Sequence, residues 1–381
     1  MRALAGLLIG LCVGIGIISA CSMSRAIVAG HEANADPLFR IVKDGKVGFI
    51  DSAGRLVLKP SFSLSETDGD FHEGLLRVNS GEDYRYIDHS GNTVFETKVW
   101  LAFDFSEGLA QAGLYEGAPT LPRWGFLDRS GHFAISPQFF SVDSFSEGLA
   151  RVSVSREVGS TGYVDHEGRF VIPPRLSYGY DFHEGRAAVV PGGPCQIVNG
   201  GSCARLELRP TKSSPDYDCR WAYVDKSGRP ISEIRFDDAG DFSEGLAPVR
   251  MGNKWGFADA NGTIAISAQF DFAEPFSEGL AVAEQGGRQG FIDRSGKFVI
   301  APQFADAESF ANGRALVTES DGNERMYRFI DRQGNAAFPG AFSFAASFDH
   351  GLAPVGDQSG KYAWIDTAGK PVFEFEARWR Q

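Results

Sequence analysis

Residues 242–276 read FSEGLAPVRMGNKWGFADANGTIAISAQFDFAEPF and contain two short motifs that recur along the chain. The first motif is an aromatic residue, an aliphatic residue, Asp, two variable residues and Gly, with its Asp here at Asp259. The second is Phe-x-Glu-Gly-Leu-Ala, which begins here at Phe242. Recurrence of both motifs predicts a tandem repeat rather than two or three ordinary domains.

The spacing of the two motifs defines the repeat unit. The distance from Asp to the following Phe is 17 residues in seven of eight cases, and it is 20 between Asp51 and Phe71. The distance from Phe to the next Asp varies from 17 to 43 residues, so insertions fall in one half of the unit. Nine units are centred on Asp51, Asp88, Asp128, Asp165, Asp225, Asp259, Asp293, Asp331 and Asp366.

Each unit is predicted to form three short antiparallel strands, here 246–250, 255–258 and 264–270, joined by glycine-containing turns. The strands are apolar on both faces, so neighbouring units must cover them by stacking. Nine units exceed the four to eight blades usual for a propeller, and the 34 residues from Asp259 to Asp293 are few for a four-stranded blade. We therefore expect an all-β array of three-stranded units, either an open superhelix or solenoid or a propeller-like ring.

The acidic and glycine residues of the two motifs are interpreted as structural. A side chain repeated in every unit usually serves the unit, so each Glu and each Asp is expected to accept backbone N–H bonds in its own turn. One Asp per turn cannot supply the six to eight oxygen ligands of calcium, and we predict no metal or cofactor. The turn residues singled out are Asp128, Gly131, Glu147, Gly148, Asp259, Gly262, Glu278, Gly279, Asp293 and Gly296.

Residues 1–20 have the character of a secretory leader, with Arg2 followed by an apolar, glycine-interrupted stretch. The stretch ends in Ile18-Ser19-Ala20-Cys21, which resembles the lipobox of bacterial lipoproteins. The resemblance implies lipidation of Cys21, with several acyl chains giving stable membrane anchoring. Ser22 after the cysteine implies sorting to the outer membrane by analogy, and residues 21–37 are expected to be a tether. A leader cut later in the chain, or left uncleaved, is the alternative.

An insertion at 191–218 interrupts the repeat domain, which spans 38–381. Cys195 and Cys203 lie in it and Cys219 follows it, so one disulfide of unknown pairing is predicted outside the cytoplasm. An extended hairpin of this kind either carries function or is a neutral surface insertion.

The repeat itself resembles the WG-repeat family of bacterial proteins. The resemblance rests on Trp124-Gly125-Phe126-Leu127-Asp128 and Trp255-Gly256-Phe257-Ala258-Asp259, and on the Pro-Gln-Phe segments ending at Phe139 and Phe304. It covers about nine tenths of the chain, although only two units keep Trp-Gly itself. The family implies an all-β array and no common activity.

Function is predicted to be binding rather than catalysis. The net charge of -12 disfavours nucleic acid as a partner, and the chain has no nucleophile or phosphate-loop motif. We expect an envelope lipoprotein, outer-membrane anchored and facing the periplasm, that binds a protein partner. The alternatives are a glycan or peptidoglycan binder, or an enzyme with its site on the 191–218 insertion. Trp100, Trp221, Trp364 and Trp379 could stack on sugars, but tryptophans are more often core residues.

Overall fold

The protein is described by a computed structural model for residues 36–67, 69–81, 83–115, 121–192, 195–197, 203–205, 220–320 and 325–376. The strands in these ranges form nine small antiparallel sheets, here called blades 1 to 9, and one separate two-stranded hairpin. Each blade corresponds to one sequence unit, and the described residues contain no helix. The all-β repeat prediction is confirmed.

The strands follow one another as up-and-down meanders within each blade. Blades 1 and 2 are β1 Phe39–Lys43, β2 Lys46–Ile50, β3 Leu56–Ser63, and β4 Leu76–Asn79, β5 Tyr84–Ile87, β6 Thr93–Thr97. Blades 3 and 4 are β7 Leu101–Ser106, β8 Leu109–Leu114, β9 Arg123–Leu127, β10 Phe133–Phe139, and β11 Ser141–Ser146, β12 Leu149–Ser153, β13 Thr161–Val164, β14 Phe170–Leu176. Blade 5 is β15 Tyr178–Gly179, β16 Arg186–Val190 and β19 Ala222–Asp225, and the separate hairpin is β17 Cys195–Ile197 and β18 Cys203–Arg205.

The remaining four blades repeat the same plan. Blades 6 and 7 are β20 Asp238–Ala239, β21 Leu246–Met251, β22 Lys254–Asp259, β23 Ile264–Phe270, and β24 Phe272–Ala273, β25 Ala281–Gln285, β26 Arg288–Ile292, β27 Phe298–Phe304. Blades 8 and 9 are β28 Asp306–Ala307, β29 Ala315–Ser320, β30 Arg325–Ile330, and β31 Phe344–Ala345, β32 Leu352–Gly356, β33 Lys361–Asp366, β34 Pro371–Glu376.

The core lies between blades rather than within them. In one cluster Phe257 and Ile266 of blade 6 pack on Phe276 and Ile292 of blade 7, all at most 4% exposed. A fully buried Phe contributes roughly 2–3 kcal/mol, and a lone small sheet has no such cover. The stacking inferred from the two apolar faces of each strand therefore has this physical basis.

The expectation of an open superhelix is wrong, because the first and last blades pack against each other. Phe39 of blade 1 contacts Trp364 of blade 9 with ring centroids 5.0 Å apart. The Trp364 Nε1–H donates to the Arg40 carbonyl at 2.9 Å. Ile41 and Ile50 share a buried cluster with Leu352. The nine blades thus close into a ring, a nine-bladed β-propeller, with cover for both terminal blades.

The expected three-stranded unit is also incomplete, since five blades have four strands. The additional strand precedes the Glu-Gly turn of the Phe-x-Glu-Gly motif and is as short as the two residues of β20, so it has no visible sequence period. This first strand lies innermost, because first strands of adjacent blades touch each other. The Ser106 hydroxyl of blade 3 donates to the Phe145 carbonyl of blade 4 at 2.8 Å, and Ser277 of blade 7 donates to Phe310 of blade 8 at 2.7 Å.

The Gly of the Trp-Gly motif is explained by a bulge in the following strand. Trp255 pairs with Phe270 and Phe257 with Ile266, so the fourth strand has two extra residues opposite Gly256. A Cβ on Gly256 would lie 2.4 Å from the Ile266 carbonyl oxygen. Blade 9 has Ala363 at this position, and its fourth strand pairs there in regular register with Glu374. Glycine is therefore needed where the bulge is present.

Because each blade is a simple meander, the propeller has two distinct ends. One end, the turn face, carries the Phe-x-Glu-Gly and Asp-x-x-Gly turns. The opposite end, the hairpin face, carries the loops that join the second and third strands, together with the links between blades.

Candidate functional site

The turn face is built from two-residue turns with an unusual backbone. Glu244 and Gly245 both have positive φ, 55° and 76°, as a type I′ hairpin turn requires. Asn is the usual first residue of such a turn, and an L-residue other than Asn, Asp or Gly is strained there by about 1 kcal/mol. The same slot has φ between 50° and 55° in Glu73, Glu107, Glu147, Glu184, Glu244 and Glu278.

The glutamates are structural, but they act between blades and not within their own turns as expected. Both carboxylate oxygens of Glu244 accept the Gly279 N–H of the next blade at 3.0 Å. Glu147 accepts the Gly185 N–H at 2.7 Å, and Glu278 accepts the Gly313 N–H at 3.0 Å. A glutamate side chain is long enough to reach the neighbouring turn, which accounts for its use in a strained position.

In three of these links a cation from the same neighbouring blade adds a second contact. The Arg294 guanidinium donates to the Glu244 carbonyl at 2.5 Å, and Arg332 donates to the Glu278 carbonyl at the same distance. Lys226 does the same to Glu147 at 2.7 Å. These cations directly follow the Asp of the other turn motif, so the two turn motifs are held together around the ring.

The Asp side chains of the Asp-x-x-Gly motif accept hydrogen bonds within their own turns. Asp128 Oδ1 accepts the N–H groups of Ser130 and His132, and Asp259 Oδ1 accepts those of Asn261 and Thr263. These hydrogen bonds lower the pKa of Asp259, first through the Thr263 hydroxyl. Asp293 makes the same contacts, with its pKa lowered first by the Ser295 hydroxyl. The positive φ values of Gly131, Gly262 and Gly296 fit these turns. The turn face therefore has a structural account for its repeated charges.

Predicted sites elsewhere are only partly visible. Cys21, Cys219 and Trp379 lie outside the described residues. The register of the separate hairpin pairs Cys195 with Arg205 and Cys203 with Ile197, so the two cysteines are not direct cross-strand partners. The disulfide stays a prediction.

The hairpin face of blades 3–5 is unlike the rest of the ring. These three consecutive blades have Phe-to-Asp distances of 23, 20 and 43 residues, against 17 in blades 2, 6 and 7. Repeat proteins commonly place insertions on the face that binds. The loops between the second and third strands are thus longer in blades 3–5 than in most other blades. Blade 8, with a Phe-to-Asp distance of 21 residues, is the exception.

Blade 3 presents an exposed aromatic patch, defined as Trp100, Phe103, Tyr115 and Trp124. Trp100 is 46% exposed, Tyr115 49% and Phe103 38%. The Trp100 ring lies 5.3 Å from Tyr115 and 5.9 Å from Trp124, at interplanar angles of 67° and 70°. Gly113 lies beneath, where a Cβ would come within 3.2 Å of the Trp100 ring. Three of these four rings are therefore exposed to solvent, and the strands of blade 3 hold them in place.

Two other tryptophans, Trp221 and Trp364, are not available for ligands in this way, whereas Trp255 of blade 6 is partly exposed and packs beside Phe272. Trp221 is fully buried and stacks on Tyr180, and Trp364 belongs to the closure between blades 1 and 9. Trp100 was expected to be a core residue, and its exposure corrects that interpretation. One signal could have found it: the corresponding repeat position is Asp237, Asp271 and Ser343 in blades 6, 7 and 9, so Trp100 replaces a residue that is polar in those blades.

A cleft of about 280 Å³ opens beside the patch, on the hairpin face of blades 4 and 5. Its lining includes Phe140, Arg151, Arg156, Ser160 and Tyr178. It follows the patch around the ring, since Phe140 occupies the repeat position of Trp100. The sequence motifs gave no indication of it.

The inner edge of the ring is rich in carboxylates that the motif analysis missed. Burial raises the pKa of Asp181 to about 6, with the charge of Asp143 adding to the effect. Burial also raises the pKa of Asp241, whose Oδ2 lies 3.6 Å from His183 Nε2. Asp104 instead pairs with Arg77 at 3.2 Å. Within the described ranges, no group of three His, Cys, Asp or Glu residues is arranged to hold a metal ion.

Comparison with known proteins identifies the repeat. The model of the WG containing repeat matches residues 84–113, 124–155, 162–193, 221–255, 255–288, 290–322 and 327–362. The chain belongs to the WG-repeat family. Among curated proteins none matches the sequence of this WG-repeat propeller. No helix of the described part is long and apolar enough to span a membrane.

Several solved structures are similar to the WG-repeat propeller to different degrees. A crystal structure of a eukaryotic initiation factor matches with a TM-score of 0.62 and 11% identity, covering 90% of this chain and 96% of that one. AztD from Citrobacter koseri matches with a TM-score of 0.41 and 12% identity, covering 78% of this chain and 93% of that one. BamB from Moraxella catarrhalis matches with a TM-score of 0.36 and 8% identity, covering 88% of this chain and 90% of that one. At these identities the first match shows the fold alone.

Proposed function

We propose that this WG-repeat propeller is a non-catalytic scaffold that binds a protein partner through the hairpin face of blades 3–5. The observation that carries the proposal is the exposed aromatic patch. Large exposed apolar groups gathered in one place mark interaction surfaces, and Trp and Tyr are enriched among residues that dominate interface energies. The closed ring supplies a rigid base, so the patch is presented without ordering cost on binding.

A protein is favoured over a glycan by the geometry of the rings. Sugars stack on an open aromatic face, whereas Trp100 is set at 67° and 70° to its two neighbours. The resulting edges and notches suit interdigitating side chains better than a flat pyranose. A glycan or peptidoglycan ligand is the second candidate, because the Trp100 ring itself is 46% exposed. An enzymatic site on the 191–218 insertion is a third and weaker alternative, without a supporting observation on the described residues.

The proposal includes a location. The Ile18-Ser19-Ala20-Cys21 segment supports a lipid anchor at Cys21, and residues 21–37 would connect it to the propeller. The scaffold is then an envelope lipoprotein, held at the outer membrane and facing the periplasm. Labelled palmitate should be incorporated by the full chain and lost in Cys21→Ser, whereas incorporation by Cys21→Ser would contradict the anchor.

The binding proposal is tested by isolating the full chain from cells with its bound proteins. The Trp100→Ala variant should lose a specific partner, since truncating a central aromatic commonly costs about 2 kcal/mol or more in binding. Phe344→Ala is a matched control, because Phe344 is 45% exposed on blade 9, away from the patch. Equal recovery of the same proteins by both variants would contradict the proposal. Recovery of wall fragments in place of a protein would favour the glycan alternative.

A further inference from the structure

The cleft on blades 4 and 5 has the construction of a binding site for a negatively charged group. Two guanidinium groups line it, those of Arg151 and Arg156. Arg151 lies over the Tyr178 ring at 4.5 Å and pairs with Asp143, so its charge is already compensated.

Arg156 is held in place without an anionic partner. Its guanidinium lies over the Phe140 ring, 5.4 Å from the centroid. It makes no ion pair or hydrogen bond with any other residue of the described ranges. A guanidinium stacked on an aromatic face keeps its edge N–H groups free, and two of these match the two oxygens of a carboxylate.

The loop that carries Arg156 is fixed by buried hydroxyl groups. The Ser160 hydroxyl contacts the carbonyls of Ser155 and Glu157 at 2.9 and 2.6 Å. The Ser153 and Ser160 hydroxyl groups lie 2.8 Å apart, and both residues are buried. Such a loop loses little freedom on binding, which favours affinity for a small group.

The surrounding charge selects a singly charged ligand. Glu157 also lines the cleft, and the whole chain carries a net charge of -12. A phosphate carrying nearly two negative charges is repelled by these groups about twice as strongly as a carboxylate. We propose that the cleft binds a carboxylate of a peptide, either a chain terminus or an acidic side chain, through Arg156. The inference rests on the proposed function, because it names the chemistry of a partner that binds the adjoining face.

The test uses small probes and the full chain. Ligand-detected NMR titration would compare N-acetylphenylalanine, which has a free carboxylate, with N-acetylphenylalaninamide, which has none. N-acetylglutamic acid α-amide provides the side-chain carboxylate. The variants are Arg156→Gln and Arg156→Lys, and Arg288→Gln is the matched control because Arg288 is an exposed hairpin-face arginine of blade 7.

The expected result is that at least one acid binds about tenfold or more tightly than the amide, the usual size of a charge-assisted hydrogen bond. Arg156→Gln should abolish this difference, Arg156→Lys should keep part of it, and Arg288→Gln should keep all of it. Which acid binds then distinguishes a chain terminus from a side chain. Equal binding of acid and amide, or unchanged binding in Arg156→Gln, would overturn the inference.

Failure here and failure of the scaffold proposal can be told apart. If the probes do not bind but Trp100→Ala still loses the partner, only the carboxylate site is refuted. If the probes bind as expected but Trp100→Ala retains the partner, the scaffold proposal fails and the cleft remains a small-molecule carboxylate site.

Discussion

Replacing Glu244 tests whether the links between blades stabilise the ring. The Glu244 carboxylate accepts the Gly279 N–H with both oxygens at 3.0 Å, and its side chain is 33% exposed. A buried hydrogen bond to a charged group contributes about 1.5–3 kcal/mol, and partial exposure reduces this to about 1–2 kcal/mol. We expect Glu244→Ala to lower the free energy of unfolding by that amount, because the strained backbone remains and its compensation is lost.

The strain can be measured separately with Glu244→Gly. Glycine adopts a φ of 55° without penalty, so this variant loses the hydrogen bonds but also relieves about 1 kcal/mol of strain. It should therefore be about 1 kcal/mol more stable than Glu244→Ala. Glu233→Ala is the control, since Glu233 is an exposed residue and its change should matter by less than about 0.5 kcal/mol.

Urea unfolding followed by tryptophan fluorescence measures the stabilities, and hydrogen exchange at the 276–280 turn reports the local effect. Faster exchange of the Gly279 amide is expected in both Glu244 variants. If Glu244→Ala unfolds at the urea concentration of the unchanged protein, or is more stable than Glu244→Gly, the account of the turn face is refuted.

Three further predictions concern the ring and its inner edge. Because burial raises the pKa of Asp181 from 3.8 to about 6, ionisation favours the unfolded chain: stability is fully present below pH 4 and is lost as pH rises through 6. In urea titrations, the free energy of unfolding of Asp181→Asn should therefore rise by about 2–3 kcal/mol relative to that of the unchanged protein between pH 4 and 7. A difference between the two proteins that does not change with pH would contradict this. Gly256→Ala should destabilise the protein by about 1–3 kcal/mol, because its Cβ would lie 2.4 Å from the Ile266 carbonyl oxygen. Ala363→Gly in blade 9 should destabilise it by only about 0.5–1 kcal/mol. Equal decreases in melting temperature for the two variants would exclude the bulge explanation. Trp364→Ala should destabilise the protein by about 3–5 kcal/mol and separate blades 1 and 9, which small-angle scattering would detect as a larger radius of gyration. Trp364→Phe keeps the ring contact and should destabilise the protein by about 1 kcal/mol. An unchanged radius of gyration for Trp364→Ala would contradict the role of Trp364 in closure.

The sequence predicts the repeat because local chemistry repeats. The turn at Asp259 and the strand Ile264–Phe270 follow from residues that are adjacent in the chain, and the structure has that strand with the same bounds. Closure of the ring depends on Phe39 and Trp364, which are far apart in sequence and carry no shared motif. Stacking units look alike in an open and a closed array, so only the contact between terminal blades decides.

The proposed binding surface is harder to predict than the fold. The glutamate links depend on side-chain length across a neighbouring turn, which a single unit cannot show. The patch around Trp100 was hidden because a tryptophan in a β-repeat is usually a core residue. Its exposure follows from its repeat position, which holds Asp237, Asp271 and Ser343 in blades 6, 7 and 9. The Arg156 cleft depends on a loop that has no counterpart in the shorter units, so no repeated pattern could indicate it.

The most direct test of the central claim is photo-cross-linking in cells from single positions on the full chain. A cross-linker at position 115, beside Trp100, should give one discrete protein adduct, and one at position 344 on blade 9 should give none. The adduct at 115 should disappear with Trp100→Ala and persist with the Arg288→Gln control. An adduct that forms equally from 344, or that survives Trp100→Ala, would contradict the claim that blades 3–5 bind the partner.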